Sequence, residues 1–95
     1  KLSYTAAITK YGSSRIQFNQ SCVALPTSLS IKKGTEIMLD NRANVARVVS
    51  LEGVKYIIAA YDYVVATVTT SASLPHTMLV DCGNGQNNST IIVQQ

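Results

Sequence analysis

Pro26-Thr27-Ser28-Leu29-Ser30-Ile31-Lys32-Lys33-Gly34-Thr35-Glu36-Ile37-Met38-Leu39-Asp40-Asn41 is the stretch on which the reading of the fold turns. Leu29 and Ile31 alternate with Ser28, Ser30 and Lys32, the period-two pattern of a half-buried strand. Lys33-Gly34 then supplies a tight turn in which glycine accepts a positive φ at no steric cost. Ile37 and Leu39 carry a second strand, and Asn41 to Ala46 form the polar loop that ends it.

Working outward toward the N-terminus, Ile16 and Phe18 alternate with Arg15, Gln17 and Asn19, which predicts another strand. Tyr11-Gly12-Ser13-Ser14 is turn chemistry. Before it, Leu2, Tyr4, Ala6 and Ile8 alternate with Ser3, Thr5, Ala7 and Thr9, so the first segment also reads as a strand. Toward the C-terminus, Val48, Val49 and Leu51 make a strand closed by Glu52-Gly53. Val54, Ile57, Ile58 and Tyr61 fall at the i, i+3, i+4 and i+7 spacing of one helical face. Their β-branched and aromatic crowding argues against a regular helix, so residues 54-61 read as a short helical or irregular crossover. Tyr63 to Thr70 is extended, Ser71 to His76 is a turn containing Pro75, and Thr77 to Cys82 and Ser89 to Gln94 are strands about the loop Gly83-Asn84-Gly85. Seven to eight short strands with turn signals every ~8–12 residues predict an all-β sandwich or barrel, as a single domain over residues 1-95.

Composition limits the function classes. Charged residues are 14% of the 95 against a usual ~25%, with an apolar share of 46%. That excludes a disordered tail, a coiled coil and a nucleic-acid-binding arm. The net charge of +3 is scattered, with only Lys32-Lys33 adjacent, so no footprint for nucleic acid or membrane forms. Apolar runs of a few residues fall far short of the ~20 that span a bilayer. Polarity comes instead from Ser, Thr, Asn and Gln, with glycosylation triplets at Asn19, Asn87 and Asn88. Starting at Lys1 without Met, signal-like charge or an apolar leader segment, the chain reads as a processed protein or one trimmed of its leader or anchor. An extracellular or cell-surface location is expected, with membrane attachment only through an anchor outside this chain.

The Pro26 to Asn41 stretch resembles a cupredoxin, the plastocyanin-like blue-copper sandwich. That family reads as a proline, an alternating strand, a glycine turn, and an alternating strand ending in asparagine. Thr77-Met78-Leu79-Val80-Asp81-Cys82 resembles its strand leading into the copper-binding cysteine, and Ile91-Ile92-Val93 its closing strand. The resemblance covers roughly Ala24 to Gln95 and implies a Greek-key β-sandwich. It does not carry over the copper ligands. Arg47 stands where the first histidine is expected, and the loop Gly83 to Asn88 contains neither the second histidine nor the axial methionine. A blue-copper site needs two imidazoles with a thiolate, and a guanidinium repels the ion. No cofactor and no metal are expected.

In that frame the loop carrying Cys22 approaches the same end as Cys82, so the resemblance implies a Cys22–Cys82 disulfide. Two buried thiols and a metal thiolate are the alternatives. His76, the one histidine, lies six residues before Cys82, roughly 20 Å along a strand at ~3.3 Å per residue. It reads as an exposed turn histidine. No Ser-His-carboxylate trio, phosphate loop or zinc spacing is legible, so no catalytic residues and no enzymatic activity are expected. Tyr56, Tyr61 and Tyr63 read either as core cover or as an aromatic surface for a partner, with Arg47 on the rim. The expected role is a copper-free structural or interaction module that binds another protein or copies of itself. The resemblance implies such modules in respiratory complexes and cell-surface assemblies. Two further readings are a filament subunit that lends the strand Leu2 to Thr9 to a neighbour, and an electron carrier with a divergent copper site at Cys82.

Overall fold

A computed structural model describes residues 1–83 and 87–95 of the chain. Among the described residues, nine strands and one helix follow in the order α1 (Tyr4–Tyr11), β1 (Arg15–Phe18), β2 (Ala24–Leu25), β3 (Ser28–Lys32), β4 (Glu36–Asn41), β5 (Arg47–Leu51), β6 (Val54–Ile58), β7 (Tyr63–Thr67), β8 (His76–Cys82) and β9 (Asn87–Gln94). They form a four-stranded sheet in the order β2-β1-β4-β7 and a five-stranded sheet in the order β3-β9-β8-β5-β6. β1 runs parallel to β4 and β3 parallel to β9, and the remaining pairs are antiparallel. Consecutive strands cross repeatedly between the sheets, giving a Greek-key sandwich. The turn at Gly34, with φ +90°, is therefore no hairpin within one sheet. It hands the chain from β3 in one layer to β4 in the other.

The period-two pattern decides what lies between the layers. Ile16, Phe18, Ile37 and Leu39 point inward from the first sheet and meet Val49, Met78, Val80, Ile91 and Val93 from the second. Burying each such side chain contributes ~1.5–3 kcal/mol, enough to fix the strand register, since a one-residue slip turns every one of them outward.

Two segments differ from their sequence reading. Leu2 to Thr9 is not a strand: Tyr4–Tyr11 is an α-helix, capped by Ser3, whose hydroxyl accepts from Ala6 N at 3.2 Å. Tyr4, Ala7, Ile8 and Tyr11 also satisfy the i, i+3, i+4, i+7 spacing, and the Ala6-Ala7 pair favours helix. Tertiary packing selects this period. Ala7 and Tyr11 bury against Met38 and Tyr63 on the outer face of the first sheet. Residues 54-61 are likewise no helical crossover. Val54–Ile58 is a strand, paired with β5 through the two-residue turn Glu52-Gly53. Both turn residues have positive φ, +48° and +88°, as a tight hairpin requires. As an edge strand β6 buries only Ile58 fully, which is why its alternation was too weak to outvote the helical spacing.

The helix is anchored by charge as well as by packing. Asp40 is fully buried, and its Oδ2 accepts from Tyr4 Oη at 2.7 Å and Arg15 Nε at 3.0 Å, while Oδ1 accepts from Arg42 Nε at 2.7 Å. The Arg42 guanidinium also stacks 3.9 Å from the centre of the Tyr4 ring. Lys1 Nζ donates to Asp62 Oδ1 at 2.6 Å, and that hydrogen bond holds the Asp62 carboxyl below its ordinary range. The Tyr63 hydroxyl donates to the carbonyl of Leu2.

Burial, followed by the hydrogen bond to Asp40, raises the Tyr4 phenol above its ordinary range. A raised phenol pKa means the neutral form stabilises the fold. That contribution is complete below the unfolded value and disappears as pH rises through the folded one. Tyr4→Phe is therefore expected to lose about 2 kcal/mol at pH 7, the scale of a hydrogen bond to a charged group. The difference from the parent should shrink in urea titrations at increasingly alkaline pH; a gap that stays constant would contradict the assignment.

Candidate functional site at the disulfide end

The end of the sandwich where β4 and β8 finish is organised by Asn41. This residue is fully buried, and its Nδ2 donates to the carbonyls of Val45 at 2.9 Å and of Ile58 and Ala59 at 3.1 Å. Its Oδ1 accepts from Ala43 N at 2.9 Å. One side chain thereby ties the 42–46 loop to the end of β6, because a buried amide left without partners would be costly.

The facing loop, residues 19–23, is organised by Asn19. Its Oδ1 accepts from Ser21 N at 2.8 Å and Val23 N at 3.0 Å, and Cys22 N donates to Asn19 O at 3.0 Å. Gln20 links this loop to the 42–46 loop in both directions. Its Nε2 donates to Asn44 Oδ1 at 2.5 Å, and its Oε1 accepts from Asn44 N at 3.0 Å. Arg47, the first residue of β5, donates from Nη2 to Gln20 O at 2.8 Å. It braces the loop as a half-buried cation.

Cys22 and Cys82 are joined in a disulfide, with Cα atoms 5.6 Å apart and 60 positions between them in sequence. Cys82 closes β8 opposite Val49 and is almost fully buried; Cys22 is half-buried at φ +63°. Gly83 follows with φ +78°, and a Cβ there would stand 3.6 Å from Cys22 Sγ. The positive φ explains the glycine, since the sulfur stands at ordinary contact distance.

The donor set does not fit a blue-copper ion. The cysteine at the end of β8 is bonded to sulfur, and Arg47 occupies the rim. His76 opens β8 at the other end of that strand, where its Nε2 lies 2.6 Å from Glu52 Oε1. His76 is thus a partly buried strand residue with an acid beside it in space, and not an exposed turn residue. Sequence distance hid the acid, since 24 positions separate the two. Among the described residues, no group of three or more His, Cys, Asp and Glu converges as metal ligands.

The tyrosines do not form one surface. Tyr63 is buried beneath α1, and Tyr56 packs partly against the core. Only Tyr61 is freely exposed, at 59%, with the Arg42 guanidinium 5.8 Å from its ring centre. The structure adds an apolar pair that the sequence reading missed: Val48 and Ile57 face each other across β5 and β6, 38% and 76% exposed. Only once β6 is a strand does the parity of Ile57 put it outside. Of the glycosylation triplets, Asn19 is exposed, but its Oδ1 is engaged in the turn. Asn84, Gly85 and the side chains of Asn87 and Asn88 lie outside the described residues.

Solved structures share this architecture. A purple cupredoxin from Nitrosopumilus maritimus superposes with a TM-score of 0.66 at 12% identity, covering 85% of this chain and 99% of that one. A copper(I) amicyanin variant gives 0.64 at 15% identity, over 87% and 83%. Plastocyanin from Dryopteris crassirhizoma gives 0.64 at 11% identity, over 84% and 99%. No protein-family model and no curated protein matches the sequence. The chain has the cupredoxin fold, in a divergent form whose β8 cysteine is cross-linked.

Closing a loop of this length restricts the unfolded chain by about 4 kcal/mol in the chain-entropy treatment. A Cys22→Ser/Cys82→Ser double variant is expected to lose about that much in urea denaturation, with the native β-sheet circular dichroism retained in dilute buffer. A loss under ~1 kcal/mol would show that the loop contacts alone carry this end of the molecule.

Proposed function

We propose that this protein is an exported cupredoxin-fold module that works without copper, by contact with another protein or with copies of itself. An accessory domain of a respiratory complex and a component of a cell-surface assembly are the settings that suit such a module. The observation that carries the reading is the Cys22–Cys82 bond: the one sulfur that a copper centre on β8 would need is committed to a cross-link. Arg47 supports it, because its guanidinium braces the neighbouring loop and offers no lone pair to a metal.

Export is favoured by the disulfide itself, since such bonds persist in oxidising compartments. No helix among the described residues is long and apolar enough to cross a membrane. For the contact surface, Ile57, 76% exposed and paired with Val48 across β5 and β6, and Tyr61, 59% exposed, are exposed apolar groups that a partner could cover. The filament reading needed a free N-terminal strand, and that segment is a docked helix.

Electron transfer through a divergent copper site at Cys82 is the competing reading. Cupric ion added to the purified, oxidised protein is expected to give no intense visible thiolate-to-copper band. An intense band would establish the electron carrier and end the copper-free reading. Protein isolated from its source under thiol-trapping conditions should carry both cysteines oxidised; a trapped pair of thiols would remove the argument for export.

A further inference from the structure

We propose that Nδ2 of Asn19 is the attachment point of an N-linked glycan, and that its first sugars lie over the exposed apolar rim of Val23, Leu25 and Val45. The inference rests on the exported setting proposed above, and it adds a covalent group to the rim of the sandwich beside the loop of Cys22.

The acceptor is shaped by its own turn. Asn19, Gln20 and Ser21 are all exposed and form an Asn-X-Ser triplet. Asn19 is held through its oxygen: Oδ1 accepts from Ser21 N at 2.8 Å and from Val23 N at 3.0 Å. Neither its Nδ2 nor the Ser21 hydroxyl makes a hydrogen bond among the described residues. The side chain of Gln20, the middle residue, is engaged with Asn44. The nitrogen to be modified and the hydroxyl two residues on are therefore both uncommitted on the surface. A glycosylated amide keeps its carbonyl oxygen, so both hydrogen bonds that build the turn survive attachment. The sugar is accommodated without loss of a contact that holds this loop.

The step is a group transfer from a polyprenyl-phosphate-linked sugar, run by a transferase of the exporting cell. Nδ2 attacks the anomeric carbon and forms one N–C bond. The C–O bond to phosphate breaks, and its electron pair leaves on the phosphate oxygen. Nδ2 gives up one proton to a base of the transferase.

The rim around Asn19 lacks the usual protection of an exposed edge. β2 is an edge strand of the first sheet. Ala24 is buried, while its neighbours Val23 and Leu25 stand 53% and 67% exposed. Val45, 46% exposed, follows Asn44, which is hydrogen-bonded to Gln20 of the Asn19 loop. No charged residue occurs between Arg15 and Lys32. By contrast, the edges of the second sheet, β3 and β6, carry Lys32 and Lys55. Charge on an edge strand discourages pairing with another chain, and β2 has none. A bulky, solubilising glycan anchored beside Val23 supplies that protection by other means.

The test is peptide mapping of protein isolated from its source, with free thiols trapped before reduction and tryptic digestion. The peptide of residues 16–32 should carry a sugar mass that fragmentation assigns to Asn19. A peptide bare in every molecule would overturn the site. The same digest separates that failure from failure of the exported setting: bridged cysteines with a bare Asn19 strike the glycan alone, and trapped thiols strike the setting as well. Ser21→Ala produced in the source keeps the Asn19 turn, which uses only the backbone of residue 21. It should lose the sugar while keeping the near-ultraviolet circular dichroism of the parent; sugar retained on Asn19 in this variant would overturn the triplet as its signal. The bare Ser21→Ala chain should bind several-fold more of a fluorescent dye for apolar surface than the sugar-bearing parent. Adding Leu25→Lys to it should bring dye binding back toward the parent level. Equal dye binding by the bare and sugar-bearing chains would overturn the cover over Val23, Leu25 and Val45.

Discussion

A buried carboxylate and a buried amide stand side by side at the end of β4, and each must find partners because neither can reach water. Asp40 turns outward from the sandwich and Asn41 inward, as adjacent strand residues do. Asp40 answers its requirement with Tyr4, Arg15 and Arg42, which clamps the helix to the first sheet. Asn41 answers its own with four backbone groups, which fixes the loop beside the disulfide. One dipeptide therefore sets both the third layer and the shape of the candidate site. An unpartnered buried polar group costs on the order of 1–3 kcal/mol, so these arrangements are cooperative and not optional.

The disulfide end can then be understood as a change in what a sulfur does. A thiolate at the end of β8 can ligate a metal only if it stays unbonded and other donors converge on it. Here a turn built by Asn19 carries a second cysteine to it, and Arg47 braces that turn. The result is a cross-link over a long loop in a domain of only 95 residues, where a small core leaves covalent restraint a large share of stability.

The two outer faces of the sandwich are treated differently. On the first sheet, α1 covers Met38 and Tyr63, so β4 is buried on both sides despite its simple alternation. On the second sheet, Val48 and Ile57 remain open beside the edge strand β6. Lys55 lies on that strand between Val54 and Tyr56, a charge of the kind that discourages edge-to-edge pairing.

Much of this was legible in the residues themselves. Alternation located β1, β3 and β4, because a strand with its core face on every second residue writes that period into the sequence, and apolar runs bounded by turn signals located β5, β7, β8 and β9. The Gly34 and Gly53 turns were visible for the same local reason. The resemblance added the partner of Cys82. What the chain could not announce were Tyr4–Tyr11, where two periods fit equally, and Val54–Ile58, where an edge position leaves little burial to read. Nor could it place Glu52 beside His76, bury Tyr63, or gather Arg15, Arg42 and Tyr4 on Asp40. Those facts depend on which layer covers which face, and that is settled only when distant segments compete to remove the same apolar and polar groups from water.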